Sequence, residues 1–291
     1  MQDFSGKTAV ITGGASGIGL GLAEHCAGLG MNVVLGDIQQ DALDQAVEKV
    51  AQRQANVIGV ITDTMVKTSV NNLLEEATNT YGNVNLVFNN AGVAAGNSAG
   101  KAVWETPDED WHWVMGVNFY GVLYGVQTFI PHMLEHGEES YIVNTASLAA
   151  VMPMGGSYGV SKHGVLALTE GVQSDLEQRA ANINAGVLCP GFVDTQIFNA
   201  ERNRPGAEQT QADTEDPQYQ AAKSMLANGK SPAEIADYVF TAMANKQFYM
   251  LPHPAWDEFV GSRTTQILAR QGVATMDLMA MLERSAQGEQ F

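Results

Sequence analysis

The chain has 291 residues, 45% of them hydrophobic, enough to bury one large α/β core without disulfide or metal support. Its 15 Lys plus Arg against 32 Asp plus Glu leave a net charge of −17, which argues for solubility and against binding to nucleic-acid phosphates. Cys26 and Cys189 form no CxxC pair, the 6 histidines show no ligand spacing, and neither a leader pattern nor a membrane-length apolar run is present. The sequence therefore predicts a cytoplasmic protein with no metal, no membrane partner and no nucleic-acid partner.

In chain order, strands are predicted at Thr8 to Ile11, Val33 to Leu35, Val57 to Ile61, Leu86 to Phe88, Tyr141 to Val143 and Ala185 to Leu188, with a seventh at Phe248 to Leu251. Helical periods lie between them, such as Leu43, Val47 and Val50, then Val70, Leu73, Leu74 and Ala77. Alternation of this kind predicts an α/β fold: a doubly wound parallel sheet of about seven strands with helices on both faces, in a single domain spanning 1–291. Trp111 to Met133 reads as one long helix that is apolar around most of its circumference. From Thr195 to about Pro217 the pattern breaks, so 195–230 is read as a substrate lid, with Asn199 to Pro217 mobile. Ser231 then caps a helix that has Pro232 at its first position. Residues 254–291 form a helical C-terminal extension, with helical period from Trp256 to Leu282.

The first strand runs into Thr12-Gly13-Gly14-Ala15-Ser16-Gly17-Ile18-Gly19 and then a helix. Glycines permit unusual backbone angles and close approach, and the helix start offers free N–H groups, so Gly13, Ser16, Gly17, Ile18 and Gly19 suit a dinucleotide diphosphate. Asp37 ends the second strand, where a carboxylate accepts hydrogen bonds from ribose hydroxyls and repels a 2′-phosphate. No Arg or Lys lies in the turn, so the predicted cofactor is NAD. Asp37 can also cap the segment that opens at Gln39.

Tyr158 and Lys162 are four residues apart and share one helix face. A neighbouring ammonium stabilises a phenolate, which suits the Tyr to proton transfer. Eleven residues upstream stands Ser147, at a strand C-terminal end, where open α/β sheets place their chemistry. Thr145 is its rival.

These segments, with Asn89-Asn90-Ala91-Gly92, Asn118 and Pro190-Gly191-Phe192-Val193-Asp194-Thr195, occur in an order that resembles the short-chain dehydrogenase/reductase family over roughly residues 5 to 250. The resemblance implies that Tyr158 is the general acid/base, that Ser147 positions the substrate oxygen, and that Lys162 holds the nicotinamide ribose and tunes Tyr158. It implies that Asn118 carries a structural water in the proton relay and that Asp63 meets the adenine amino group. Asn89, Ala91 and Gly92 would form the cofactor-side wall, and Pro190, Gly191, Val193 and Thr195 would line the nicotinamide. The expected activity is NAD-dependent hydride transfer to or from a secondary alcohol or ketone, bulky and largely apolar or aromatic, in a homodimer or homotetramer. The alternatives are a non-catalytic nicotinamide-sensing regulator and a sugar-nucleotide epimerase or dehydratase. Met152, Met154, Trp104, Phe192 and Phe198 are the expected substrate wall, with Ile197, Tyr219, Met225 and Leu226 on the flanks of the lid.

Overall fold

The first strand, β1 (Thr8–Thr12), is buried along its whole length, as a strand covered by helices on both faces must be. The structure is a computed structural model that describes residues 3–53, 56–96, 101–206, 217–273 and 284. β2 (Asn32–Asp37), β3 (Val57–Ile61), β4 (Val84–Asn89), β5 (Ser140–Thr145), β6 (Ile183–Leu188) and the two-residue β7 (Tyr249–Met250) complete a parallel sheet in the order β3-β2-β1-β4-β5-β6-β7. The order reverses between β1 and β4, and the crevice beyond that switch point is where such sheets bind ligands.

Strand alternation divides the core into two layers. Ile11, Leu35 and Phe88 pack on α1 (Gly17–Gly28), α2 (Gln40–Ala51) and α8 (Pro232–Ala244). Val10, Val34, Val87 and Ile142 face α3 (Lys67–Tyr81), α5 (Gly121–His136) and α6 (Gly156–Gln178). In the second layer a polar chain crosses the core. Asn89 donates to Asn144 at 2.8 Å, Asn144 to Thr169 at 3.0 Å, and Thr169 to the Val165 carbonyl at 2.6 Å. Gly125 makes room for it, since a Cβ there would lie 2.0 Å from Asn89 Oδ1.

The long helix expected from Trp111 to Met133 is interrupted. α4 (Asp108–Met115) passes through a π-helical turn, Gly116–Tyr120, before α5 begins. The cause is close packing: a Cβ on Gly116 would fall 2.5 Å from Met65 Cε and one on Gly121 2.9 Å from Thr64 Cβ, while the Asn118 amide is held by Val93. The lid also departs from expectation. Ile197–Asn203 forms a short 3-10 helix, held by the ion pairs of Arg204 and by Ala200, which is buried against Val93, Trp113 and Val114. Residues 207–216 of the lid lie outside the described residues. α7 (Pro217–Ala227) follows, and Ser231 caps α8 reciprocally with Glu234. Of the extension, α9 (Asp257–Ala269) is described, whereas 274–283 lie outside the described residues.

Candidate active site

The turn between β1 and α1 is built from backbone. Gly13 and Gly17 have φ of +63° and +51°, the left-handed region that favours glycine. Gly19 lies behind the cleft wall. A Cβ on it would sit 2.1 Å from the Gly13 carbonyl oxygen, so only glycine lets the turn fold onto the helix. Ser16 makes no side-chain cap, so the first-turn N–H groups of α1 remain for an anion, and Gly13, Ser16, Gly17 and Ile18 line the cleft. Asp37 accepts from Ala15 N–H and Gln39 N–H, both at 3.1 Å, which ties the turn to the end of β2 and caps the next segment. Asp63 borders the cleft and accepts from Met65 N–H at 2.9 Å.

One cofactor-wall residue sits elsewhere than expected. Asn89 shares strand parity with Val87 and is buried on the α5 side, in the polar chain described above. Asn90 stands at the cleft instead, beside Ala91 and Gly92. Thr12 Oγ1 accepts from the N–H groups of Asn90 and Ala91 at 3.0 and 3.1 Å, which clips this segment to β1.

At the other end of the cleft, Ser147 lies just past β5, and Tyr158 and Lys162 share one face of α6. Ser147 and Tyr158 meet at the cleft, where the Ser147 hydroxyl acts on the phenol. Thr145 bonds to Asn90 at 3.3 Å, and its carbonyl accepts from Lys162 Nζ at 3.1 Å. Burial raises the Tyr158 pKa and the Ser147 hydroxyl opposes it, so the expected lowering by Lys162 is not seen. The geometry explains this: Nζ lies over the ring, 5.6 Å from its centroid. Burial also draws Lys162 down to about 8. Asn118 is fully buried, bonded to Val93 in both directions at 2.8 and 3.0 Å and to Ser161 at 3.1 Å.

Pro190, Gly191, Val193 and Thr195 line the cleft after β6. Sequence reasoning missed what holds them. His253, buried after β7, accepts from Gly191 N–H at 3.0 Å through Nδ1, and its Nε2 lies 3.0 Å from the Phe192 carbonyl oxygen. Its pKa is drawn down to about 4 by burial, so the ring is neutral, with Nε2–H as donor. Only its unusual setting between Pro252 and Pro254 signals it in the sequence.

The cleft encloses about 740 Å³. Met152, Met154, Phe192, Ile197, Phe198 and Leu226 line it as expected, while Met225 packs behind them with Leu148 and Trp256. Trp104 does not: it is 87% exposed and its neighbour Val103 takes the wall. Trp113 and Trp256, which the sequence reading passed over, complete the apolar lining. The side chain of Tyr219 lies outside the described residues. Arg204 fastens the lid. It pairs with the buried Asp110, lies 3.0 Å from Glu201, and covers the Trp113 ring at 4.4 Å from its centroid.

A profile described as short chain dehydrogenase matches residues 7–206. The chain belongs to that family. It is thus an oxidoreductase acting between hydroxyl and keto groups. A short-chain dehydrogenase/reductase from Burkholderia phymatum, solved in complex with NAD, superposes with a TM-score of 0.88 at 40% identity, covering 95% of this chain and 99% of that one. A CLA biosynthesis dehydrogenase/reductase from Lactiplantibacillus plantarum is 34% identical over 92% of this chain and 95% of its own. A 1-deoxy-11-beta-hydroxypentalenate dehydrogenase from Streptomyces avermitilis is 34% identical over 84% of this chain and 83% of its own. Members of the family use a nicotinamide dinucleotide. The residues here fit one: a cradle in which Gly19 tolerates no side chain, a first turn of α1 with no side-chain cap, and an acid, Asp37, in the same cleft.

Proposed function

We propose that this protein is an NAD-dependent dehydrogenase of secondary alcohols, and a reductase of the matching ketones, whose substrates are bulky and largely apolar or aromatic. The reading is carried by one juxtaposition: the Ser147–Tyr158–Lys162 set opens onto the same cleft as the glycine turn, and the walls beside it are Val103, Trp113, Met152, Phe192, Phe198 and Trp256. When bound, the nicotinamide accepts or returns the hydride. The protein's own residues do the rest. Ser147 and Tyr158 hold the substrate oxygen between two hydroxyls, and Tyr158 takes its proton as the alcohol is oxidised. Lys162, charged below about pH 8, binds the nicotinamide ribose. The lid and apolar walls exclude water.

Asp37 is the residue that selects NAD, by accepting the ribose hydroxyls. Tyr120 and Leu134, with Val160 on α6, keep apolar surface exposed around α5, and we assign these helices to a homodimer or homotetramer contact. A panel of aliphatic, steroid, sugar and benzylic alcohols with NAD, followed at the nicotinamide absorbance, tests the reading. Turnover is expected with the larger apolar alcohols. Turnover of the sugars alone, or of nothing despite NAD binding, would overturn it.

A further inference from the structure

Read as sequence, the ribose end of the cofactor cleft carries a single charge, that of Asp37. The fold adds a second. Arg202, on the lid's 3-10 helix, is brought to the same cleft by a bond from its Nε to Gln39 Oε1 at 3.2 Å, across 163 residues of chain. Its Nη1 donates to the carbonyls of Asn199 and Gln196 at 2.6 and 3.2 Å, so the guanidinium is held from behind. Nη2 has no hydrogen-bond partner among the described residues. Gln39 in turn donates its N–H to Asp37 at 3.1 Å, so the residue that anchors the fork is itself bonded to the acid.

The surrounding charges leave Arg202 available. Arg204 is paired with Asp110 and Glu201, while Asp41, on the first turn of α2, lines a second groove that Arg202 also borders, and no ion pair joins the two among the described residues. Asp37 is the carboxylate whose field acts on Arg202, opposing the effect of its partial burial. An arginine remains protonated in proteins, and its planar fork matches a phosphate dianion.

We propose that Arg202 is a second specificity residue for the dinucleotide, a guanidinium positioned to receive a 2′-phosphate, and that Asp37 alone keeps NADP out. The inference rests on the dinucleotide reading above. It separates two contributions that oppose each other: repulsion from Asp37 and attraction toward Arg202. Removing the acid does more than abolish a preference, because the cation stays in place, and the preference inverts.

The test is fluorescence titration with NADH and NADPH, which needs no substrate, on the full chain and on Asp37→Asn, Arg202→Ala, and the double variant. Asparagine keeps one acceptor oxygen for Ala15 N–H and gives up the bond from Gln39 N–H, so the turn stays tied to β2 while the charge is removed. Asp37→Asn is expected to bind NADPH at least about tenfold more tightly than NADH, on the scale of a charge-assisted hydrogen bond. The double variant should lose that preference, and Arg202→Lys on the Asp37→Asn background should retain part of it, since the charge survives without the fork. Equal NADPH affinity with and without Arg202 overturns the proposal. Absence of binding of either nucleotide to the parent chain overturns the dinucleotide reading instead. A melting temperature for each variant separates lost binding from lost folding.

Discussion

The two walls of the cleft are held by different physics. On the strand-end wall, Ser147, Tyr158 and Lys162 come from one strand end and the helix after it, and Ser147 and Lys162 bond to near neighbours in the chain, Ala149 N–H and the Thr145 carbonyl. On the lid wall, Arg202 and Arg204 are anchored by residues far away in the chain, Gln39 and Asp110. Under the proposed function, the first wall carries the chemistry and the second, fastened by ion pairs that one substitution can release, selects which molecules stay in the cleft.

The largest effect should come from Tyr158→Phe, which removes only the proton-transfer hydroxyl. Turnover should fall by about 10³-fold while NADH affinity stays within about twofold, as kinetics and titration together will show. Appreciable turnover would remove the distinction between a chemical wall and a binding wall. Next is Arg204→Met, which keeps most of the bulk over Trp113 and leaves Asp110 buried without its cation. The expected loss is about 3 kcal/mol in urea unfolding, with KM for large alcohols rising more than kcat falls. A loss confined to kcat would place Arg204 on the chemical side.

His253 sharpens the comparison by pH. Its folded pKa of about 4 lies below the ordinary value near 6.5, so between these limits the unfolded chain binds more protons and stability falls as pH falls. The slope from this one group is at most about 1.4 kcal/mol per pH unit, and His253→Gln should flatten it in unfolding curves taken from pH 7 to 4. The smallest effect is expected from Ser231→Ala, whose side chain does not line the cleft. Losing the cap of α8 should cost about 1 kcal/mol in thermal melting and leave KM unchanged.

What could be read beforehand follows the same division. Gly13 through Gly19, Asp37, Tyr158 and Lys162 are legible because each lies within a few residues of a strand end or helix start that its neighbours already announce. The seven strands were legible because buried parallel strands are continuous apolar runs. Asn89 and Asn90 were harder. Adjacent in sequence, they differ by one step of strand parity, and only the observed register sends Asn89 to the α5 layer and leaves Asn90 at the cleft. The π turn depends on Met65 and Thr64 pressing against Gly116 and Gly121, contacts that no helical period encodes. The 3-10 turn at the start of the lid was hidden by its polar composition, since Arg204 holds it through Asp110 and Glu201, and Arg202 through a hydrogen bond to Gln39. His253 and Gly191 stand 62 residues apart, and no spacing rule joins them.

The polar chain from Asn89 through Asn144 to Thr169 acts on states of the molecule other than the native one. It closes only when β4, β5 and α6 have docked in the correct register, since each member's partner sits on a different element. A slip of one residue along β4 would turn the Asn89 amide toward the leucines under α1 and α8, where it would be buried without a partner, at about 1–3 kcal/mol. Apolar residues at the three positions would tolerate the slipped sheet nearly as well as the correct one. These side chains therefore set a penalty on the slipped sheet, directly beneath the helix that carries Tyr158 and Lys162.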